Sequence, residues 1–294
     1  LPAELFKEYS LKSINKNQIY KILTSSGTSG QIPSKIFLDK NTSNLQNKVL
    51  IKIINSLIGP YRIPMIIIDT PKIFKEKNIY SARVAGVLGF SIFATDKIYL
   101  FDDDMNINFI ELNNFLKKHK DKQILLFGFT FIIWKHFYKV MLNSKKKIFI
   151  PKGILIHGGG WKKLNDEKIT NRDFKNKIKN VLGIKKIHNY YGMVEQTGSI
   201  FIECSRGYLH PSLFSDILIR DKNSLELNPI KKLGLIQTIS LIPTSYPGHS
   251  ILTEDEGVIL GLDGCRCGKR GKFFKVIGRL KKAEIRGCSD TYEG

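Results

Sequence analysis

Pro64-Met-Ile-Ile-Ile-Asp69, Ile98-Tyr-Leu-Phe101 and Gln123 to Phe127 are short apolar runs of strand length, and between them lie the longer amphipathic stretches Ala82 to Ala94 and Ile107 to Lys118. Strand-sized runs alternating with helix-sized ones mark an α/β layout with a parallel sheet. The pattern repeats once more. Gly153-Ile-Leu-Ile-His157 reads as a buried strand, Asp166 to Leu182 as a polar helix and Lys186-Ile-His-Asn-Tyr190 as the next strand. From about Ser199 the periodicity changes to strands broken by Gly, Pro and Asp: Phe201-Ile-Glu203, Ser215 to Ile219, Gly234 to Leu241 and Val258 to Leu260. These predict a mainly β subdomain that closes the first one. No internal repeat interrupts the order.

At 294 residues, 42% hydrophobic and 25% charged, the chain has the length and composition to bury a substantial core. The formal charge of +21 invites a nucleic-acid reading, but the lysines are spread along the whole chain and the longest clusters are as short as Lys145-Lys146-Lys147. A phosphate-tracking surface needs its cations gathered on one face, so nucleic acid is set aside as a partner. Four cysteines are too few for a secreted disulfide scaffold, which favours a reducing cytoplasm. The longest apolar runs fall far below the roughly 20 residues of a membrane span.

Two stretches carry the chemistry. Thr24-Ser-Ser-Gly-Thr-Ser-Gly30 follows the strand-like Ile19 to Leu23 and precedes Ser34-Lys-Ile-Phe-Leu38. Its glycines let backbone N–H groups approach an oxyanion, and its hydroxyls add donors, so it is a phosphate-loop candidate without Walker spacing. Asn189-Tyr-Tyr-Gly-Met-Val-Glu-Gln-Thr-Gly198 places Glu195 four residues after Tyr191, past a strand end where the ligands of an α/β sheet converge.

Together these stretches resemble the core motifs of the acyl-adenylate synthetase superfamily. Further matches follow in the expected order: Gly158-Gly-Gly160 near the adenine, Leu252-Thr-Glu-Asp255 at the ribose and Gly278-Arg-Leu-Lys-Lys-Ala-Glu-Ile-Arg-Gly287 at the hinge. The wording of Tyr191 to Gly198, Pro243-Thr-Ser-Tyr-Pro-Gly-His249 and Lys282 to Ser289 is similar to the LuxE-type acyl-protein synthetases in particular.

The resemblance implies an α/β adenylation domain at residues 1–277, with a distorted β subdomain. It also implies a hinge and the start of a truncated C-terminal domain at 278–294, the small C-terminal domain being essentially absent. The activity implied is ATP-dependent activation of a fatty or related acid as acyl-AMP, with transfer to a protein thiol and on to an acyl-CoA reductase-like partner. The cofactors are ATP and Mg2+. Ser25, Ser26, Gly27, Thr28, Ser29, Gly30 and Lys35 would hold the phosphates. Gly159, Tyr191 and Gly192 would flank the adenine, with Tyr191 stacked on or beside it. Asp255 would accept from the ribose hydroxyls, Arg279 would contact ribose or phosphate, Glu195 would hold Mg2+, and Lys281 of the hinge would act in catalysis. Two other readings stay open: a phenylacetate-type acyl-CoA ligase and a non-catalytic nucleotide-binding fragment.

Cys204, His210, Cys265 and Cys267 make a Cys3His set that suits tetrahedral zinc, or alternatively three buried thiols beside a hydrogen-bonded imidazole. Cys288, beside Arg286, is either an acyl-carrying nucleophile or an incidental exposed thiol. His157-Gly-Gly-Gly160 imitates a lipase oxyanion motif, yet the chain contains no Gly-x-Ser-x-Gly elbow. The aromatic-rich Phe127 to His136 reads as a core helix, with an acyl-pocket wall as the competing role.

Overall fold

A computed structural model describes residues 1–25, 32–74, 80–144, 146–159, 161, 164, 167 and 169–280. After a short helix α1 (Leu5–Glu8), strands β1 (Lys21–Thr24) and β2 (Lys35–Leu38) form a hairpin, which α2 (Lys40–Ile58) follows. Next come β3 (Ile63–Ile67), β4 (Tyr80–Ser81), α3 (Ala82–Ser91), β5 (Ala94–Tyr99), α4 (Phe109–Lys118) and β6 (Ile124–Phe129). One helical run then passes through α5 (Thr130–Ile132), a π segment (Ile133–Tyr138) and α6 (Lys139–Asn143). β7 (Gly153–Gly158), α7 (Asn171–Leu182) and β8 (Lys186–Tyr191) complete the α/β part. Six strands follow: β9 (Phe201–Glu203), β10 (Leu209–His210), β11 (Ser215–Arg220), β12 (Gly234–Ser240), β13 (Ser250–Leu262) and β14 (Lys272–Arg279).

The main sheet has eleven strands in the order β11-β12-β13-β14-β10-β9-β8-β7-β6-β3-β5. Its five strands from β8 to β5 are parallel, and the rest are antiparallel. The fold class read from the sequence is therefore observed. The β region is not a detached lid, however: Tyr190 pairs with Ile202 and Tyr191 with Phe201, so the antiparallel strands extend the same sheet. The small sheet β2-β1-β4 stands apart from it.

Local sequence explains the elements. β6 and β7 are buried along their whole length, as the largely apolar strands of a covered parallel sheet are. β11 alternates toward its end, with Ile217 and Ile219 inward, because its other face meets water. Helix starts are fixed by side-chain caps. Asp39 accepts from the Thr42 N–H at 2.7 Å, Asn108 from Glu111 at 3.1 Å and Thr170 from Asp173 at 3.1 Å. α7 ends on Gly183 in the left-handed conformation at φ 68°. Of the helix expected over 166–182, residues 171–182 form α7.

Connections from β3 go to β5 on one side, and β6 lies on the other, which makes the carboxyl ends of β3 and β6 a topological switch point. There the buried Asp69 carboxylate accepts from Arg83 Nε at 2.8 Å and from the Thr70 N–H at 2.7 Å, and Arg83 Nη2 donates a further bond. Arg83 lies in the first turn of α3, so this pair sets where α3 crosses the sheet. Burial and the Asp69 charge together push the Tyr99 hydroxyl above its ordinary pKa. The Phe127 to His136 segment divides as β6 and a helix. Ile132, Ile133 and Trp134 sink into the main core, while Phe129 turns toward a cavity beside α3.

At Gly128 a Cβ would stand 2.9 Å from Ile68 Cβ and 3.1 Å from Ile133 Cγ1. Gly128→Ala is expected to destabilise the protein by about 1–3 kcal/mol through overpacking, measured by urea denaturation; an unchanged midpoint would show that β6 can shift to make room.

Candidate active site

The site lies where the parallel strands end and the sheet reverses direction. Asn189-Tyr-Tyr191 closes β8, and Gly192 follows close against Ile200, whose Cγ2 would meet a Cβ at 3.0 Å. The chain then makes a short 3-10 turn, Val194–Gln196, which carries Glu195 into a buried position. Gln196 anchors that turn by donating from Nε2 to the Gly248 carbonyl at 2.8 Å and the Thr238 carbonyl at 3.2 Å. The loop of Pro243 to His249 is thereby held against Glu195. Burial, and then the Glu195 charge, push the Tyr246 hydroxyl far above its ordinary pKa.

Tyr191 links the two halves of the sheet. Its hydroxyl donates to Asp255 Oδ2 at 2.7 Å, and burial together with that carboxylate raises the phenol far above the usual range. The ring is 1% exposed and packs beside Phe201, with centroids 6.0 Å apart. Through its hydroxyl, Tyr191 orients Asp255. Asp255 is also fixed through its N–H, which donates to Thr253 Oγ1 at 3.1 Å. Arg279 pairs with Asp255 in register across β13 and β14, but its guanidinium is engaged by Glu254, each side chain being 9% exposed. A nucleotide contact by Arg279 would have to compete with that buried ion pair.

Of the hairpin around the candidate phosphate loop, the described residues include the two ends. The Ser34 N–H donates to Ser25 Oγ at 2.9 Å and the Ser25 N–H to the Ser34 carbonyl at 3.1 Å, so the loop leaves a closed hairpin. Lys35 is exposed at the start of β2, opposite Thr24. Ser26, Gly27, Thr28, Ser29, Gly30, Lys281 and Cys288 lie outside the described residues. Leu23, just before the loop, packs with Val194 and Tyr246 in one apolar cluster. The loop base and the Glu195 turn are therefore neighbours, far apart as they are in sequence. Gly159 continues β7 in a left-handed conformation at φ 67°, which a side chain would strain. Gly158 must also be glycine, since Tyr190 O lies 2.7 Å from where its Cβ would be. His157 is fully buried and bonded to Thr130 Oγ1 at 3.0 Å, which removes any oxyanion role.

A cavity of about 250 Å³ opens beside these residues, with Leu23, Gly192 and Val194 on one side and Ala85, Gly86 and Gly89 of α3 on another. Sequence reading missed this wall. Its signal was the pair of glycines three apart in a helix, where they cost stability and call for a reason.

Cys204, His210, Cys265 and Cys267 come together although up to 63 positions separate them, and their ligand atoms all lie within 4.8 Å of one another. Cys204 Sγ is 3.9 Å from Cys265 Sγ, and Cys267 Sγ is 3.5 Å from His210 Nε2. Two like turns present them. Gly207 and Gly268, both left-handed, donate N–H bonds to the carbonyls of Cys204 and Cys265, while the N–H groups of Arg206 and Lys269 point at the sulfurs of Cys204 and Cys267. Burial, aided by the Lys269 charge, lowers His210 to about 4, so the imidazole is neutral at neutral pH. Burial raises the Cys265 thiol to about 11. Four soft and borderline donors at tetrahedral spacing fit Zn2+.

The chain is similar to known proteins in sequence and in fold. Two curated relatives are both called long-chain-fatty-acid–luciferin-component ligase. The one from Vibrio harveyi is 22% identical over 98% of this chain and 75% of its own length; the one from Aliivibrio fischeri is 23% identical over 98% and 76%. Among solved structures, a 2-hydroxyisobutyryl-CoA ligase in complex with its acyl-AMP and CoA superposes with a TM-score of 0.66 at 15% identity, covering 92% of this chain and 59% of that one. ATP-bound MatB from Rhodopseudomonas palustris gives 0.57 at 15% identity, covering 90% and 49%. The chain thus spans about half to three-fifths of the length of these solved structures, and they share its fold. The family model of the LuxE acyl-protein synthetases matches residues 1–293, so the chain belongs to the LuxE acyl-protein synthetase family.

Proposed function

We propose that this chain binds ATP and a carboxylic acid of the fatty-acid kind and joins them as acyl-AMP. The observation that carries this reading is the meeting of three features at one sheet edge: the Tyr191–Asp255 pair, the buried Glu195 turn and a largely apolar cavity behind Gly192. A carboxylate oxygen of the acid attacks the α-phosphorus and pyrophosphate leaves. Asp255, held by Tyr191, accepts from the ribose hydroxyls; Ser25 begins the loop that receives the β- and γ-phosphates, with Lys35 beside it. Gly159 and Gly192 give the adenine close backbone approach. Glu195 would hold Mg2+, which supplies charge neutralisation between the acid and the triphosphate. In the second step a thiolate attacks the acyl carbonyl and AMP leaves. Cys288 of the hinge segment is the proposed acceptor, Lys281 the proposed hinge catalyst, and an acyl-CoA reductase-like protein the proposed recipient. The relatives' printed name supports a fatty-acid substrate.

Residues 1–277 form the proposed adenylation domain and 278–294 the hinge, with β14 running on to Arg279. Zn2+ at Cys204, His210, Cys265 and Cys267 is proposed as a structural clip that holds the loop after β9 to the loop before β14. A cytoplasmic setting suits the three free thiols of that set. Among the described residues, no helix is long and apolar enough to cross a membrane.

Acid-dependent pyrophosphate exchange tests the first step. Glu195→Gln should lower its rate on the order of 100-fold. Tyr191→Phe should raise KM for ATP by about tenfold, since it removes one hydrogen bond to a charged group and leaves the packing intact; full activity in both variants would sink the site assignment. Labelled acid should remain on the protein and be lost in Cys288→Ala, whereas acyl-CoA formation without labelled protein would point to coenzyme A as acceptor. Purified protein should contain zinc in a 1:1 ratio, and Cys265→Ser should lose both the metal and several degrees of Tm. Metal-free protein with an unchanged Tm would leave the set as buried thiols.

A further inference from the structure

Pro243-Thr-Ser-Tyr-Pro-Gly-His249 lies between β12 and β13 and touches both sheets. Toward the small sheet, Ser245 Oγ donates to the Phe37 carbonyl of β2 at 2.9 Å. Thr244 Oγ1 bonds with Thr42 Oγ1 at 2.6 Å, and Thr42 lies in the first turn of α2, directly after β2. The partners are 208 and 202 positions apart, so these are ties between distant segments and not local turn bonds. The Ser245 carbonyl also accepts from the Ser13 N–H at 2.8 Å. Toward the main sheet, the Gly248 carbonyl accepts from Gln196 Nε2 and the His249 carbonyl from the Ser240 N–H, each at 2.8 Å. A Cβ at Gly248 would stand 3.0 Å from the Glu195 carbonyl, so the glycine lets the loop close on the Glu195 turn.

The two sheets carry the two halves of the proposed nucleotide site. β1 and β2 border the candidate phosphate loop, and the turn after β8 carries Glu195. Leu23, Val194 and Tyr246 pack the halves together, but apolar contact has no direction and lets surfaces slide. Hydrogen bonds do fix direction and distance. Thr42 and Ser245 are fully buried, so their hydroxyls cannot trade these partners for water. Such a tie matters most to a small, strict ion. Mg2+ takes oxygen ligands at about 2.0–2.1 Å in near-ideal octahedral geometry, whereas Ca2+ tolerates irregular sets at about 2.3–2.6 Å. A slip of about 0.3 Å between the sheets spans the difference between the two ions. Resting on the ATP and Mg2+ roles proposed above, we infer that Thr244 and Ser245 are positioning residues that hold Glu195 at the spacing from the phosphate loop that Mg2+ requires. They act through β2, α2 and the Glu195 turn.

Calorimetric titration of ATP into the full chain, with no acid present, reads the tie apart from catalysis. It is run in Mg2+, in Ca2+ and with metal removed, and the Tm of each variant is measured to confirm folding. In the unaltered protein Mg2+ should tighten ATP binding more than Ca2+ does. Ser245→Ala and Thr244→Val should each weaken binding in Mg2+ by about tenfold, while binding in Ca2+ and without metal stays near that of the unaltered protein. Thr244→Ser, which keeps the hydroxyl, should retain the Mg2+ preference. A preference unchanged in both Ser245→Ala and Thr244→Val overturns the inference, and so does an equal loss under all three conditions, which is what a loosened fold would give. Glu195→Gln separates this outcome from failure of the site reading. A Mg2+ gain lost in Glu195→Gln but kept in Ser245→Ala and Thr244→Val overturns the positioning role alone. A gain that survives Glu195→Gln, or no ATP binding at all, overturns the site reading and the positioning role with it.

Discussion

The hydrogen bond from the buried Tyr191 hydroxyl to Asp255 is the contact on which the site depends, because it ties the last parallel strand to the antiparallel half of the sheet. Both groups are almost fully removed from water. A carboxylate in such a place is tolerable only if donors are fixed around it, and a phenol hydroxyl needs an acceptor for the same reason. Each therefore holds the other. A bond of this kind to a charged group is worth about 1.5–3 kcal/mol, enough to make the relative placement of β8 and β13 a defined state.

The other placements follow from that one. With β8 tied to β13 through this side-chain bond, the turn after β8 carries Glu195 inward, and Gln196 secures it to the Gly248 carbonyl. The Pro243 to His249 loop then packs with the end of β1, just before the candidate phosphate loop, through Leu23, Val194 and Tyr246. The Asp69–Arg83 pair at the switch point has a parallel role on the far side, since it seats the first turn of α3 and so aligns the glycine face of that helix with the cavity. The Asp69 carboxylate is fully buried whereas Arg83 is 37% exposed, so loss of the arginine would leave a buried charge uncompensated, which penalises any other placement of α3. The Cys3His set lies apart from the cavity-lining residues and joins loops of β9 and β14 that no extended ladder covers, a place where a metal clip would contribute most.

The architecture was legible in the sequence to a large degree, for specific physical reasons. β3, β6 and β7 are predominantly apolar because both faces of a parallel sheet are covered, so each shows as a block in the chain. The turn after β8 was readable because a glycine after a strand end breaks the strand pattern. The cysteine set was readable because soft ligands are rare and stand out. By contrast, the bond from the Tyr191 hydroxyl to Asp255 was not legible, since the two residues lie 64 positions apart. A tyrosine has both a face and a hydroxyl, and only the packing of Phe201 against it decides which is used.

By itself, the sequence determined the order of elements, the caps that start the helices, the left-handed glycines and the identity of the metal-suited and acidic residues, all of which depend on neighbours within a few positions. Tertiary structure alone decided that the β region continues the parallel sheet, that Arg279 is engaged by Glu254, and that the unremarkable Lys21, Gln46, Gly86 and Gly89 line one cavity. These outcomes depend on contacts between distant segments, where the free energy of burial and pairing is settled by the whole chain rather than by any local pattern.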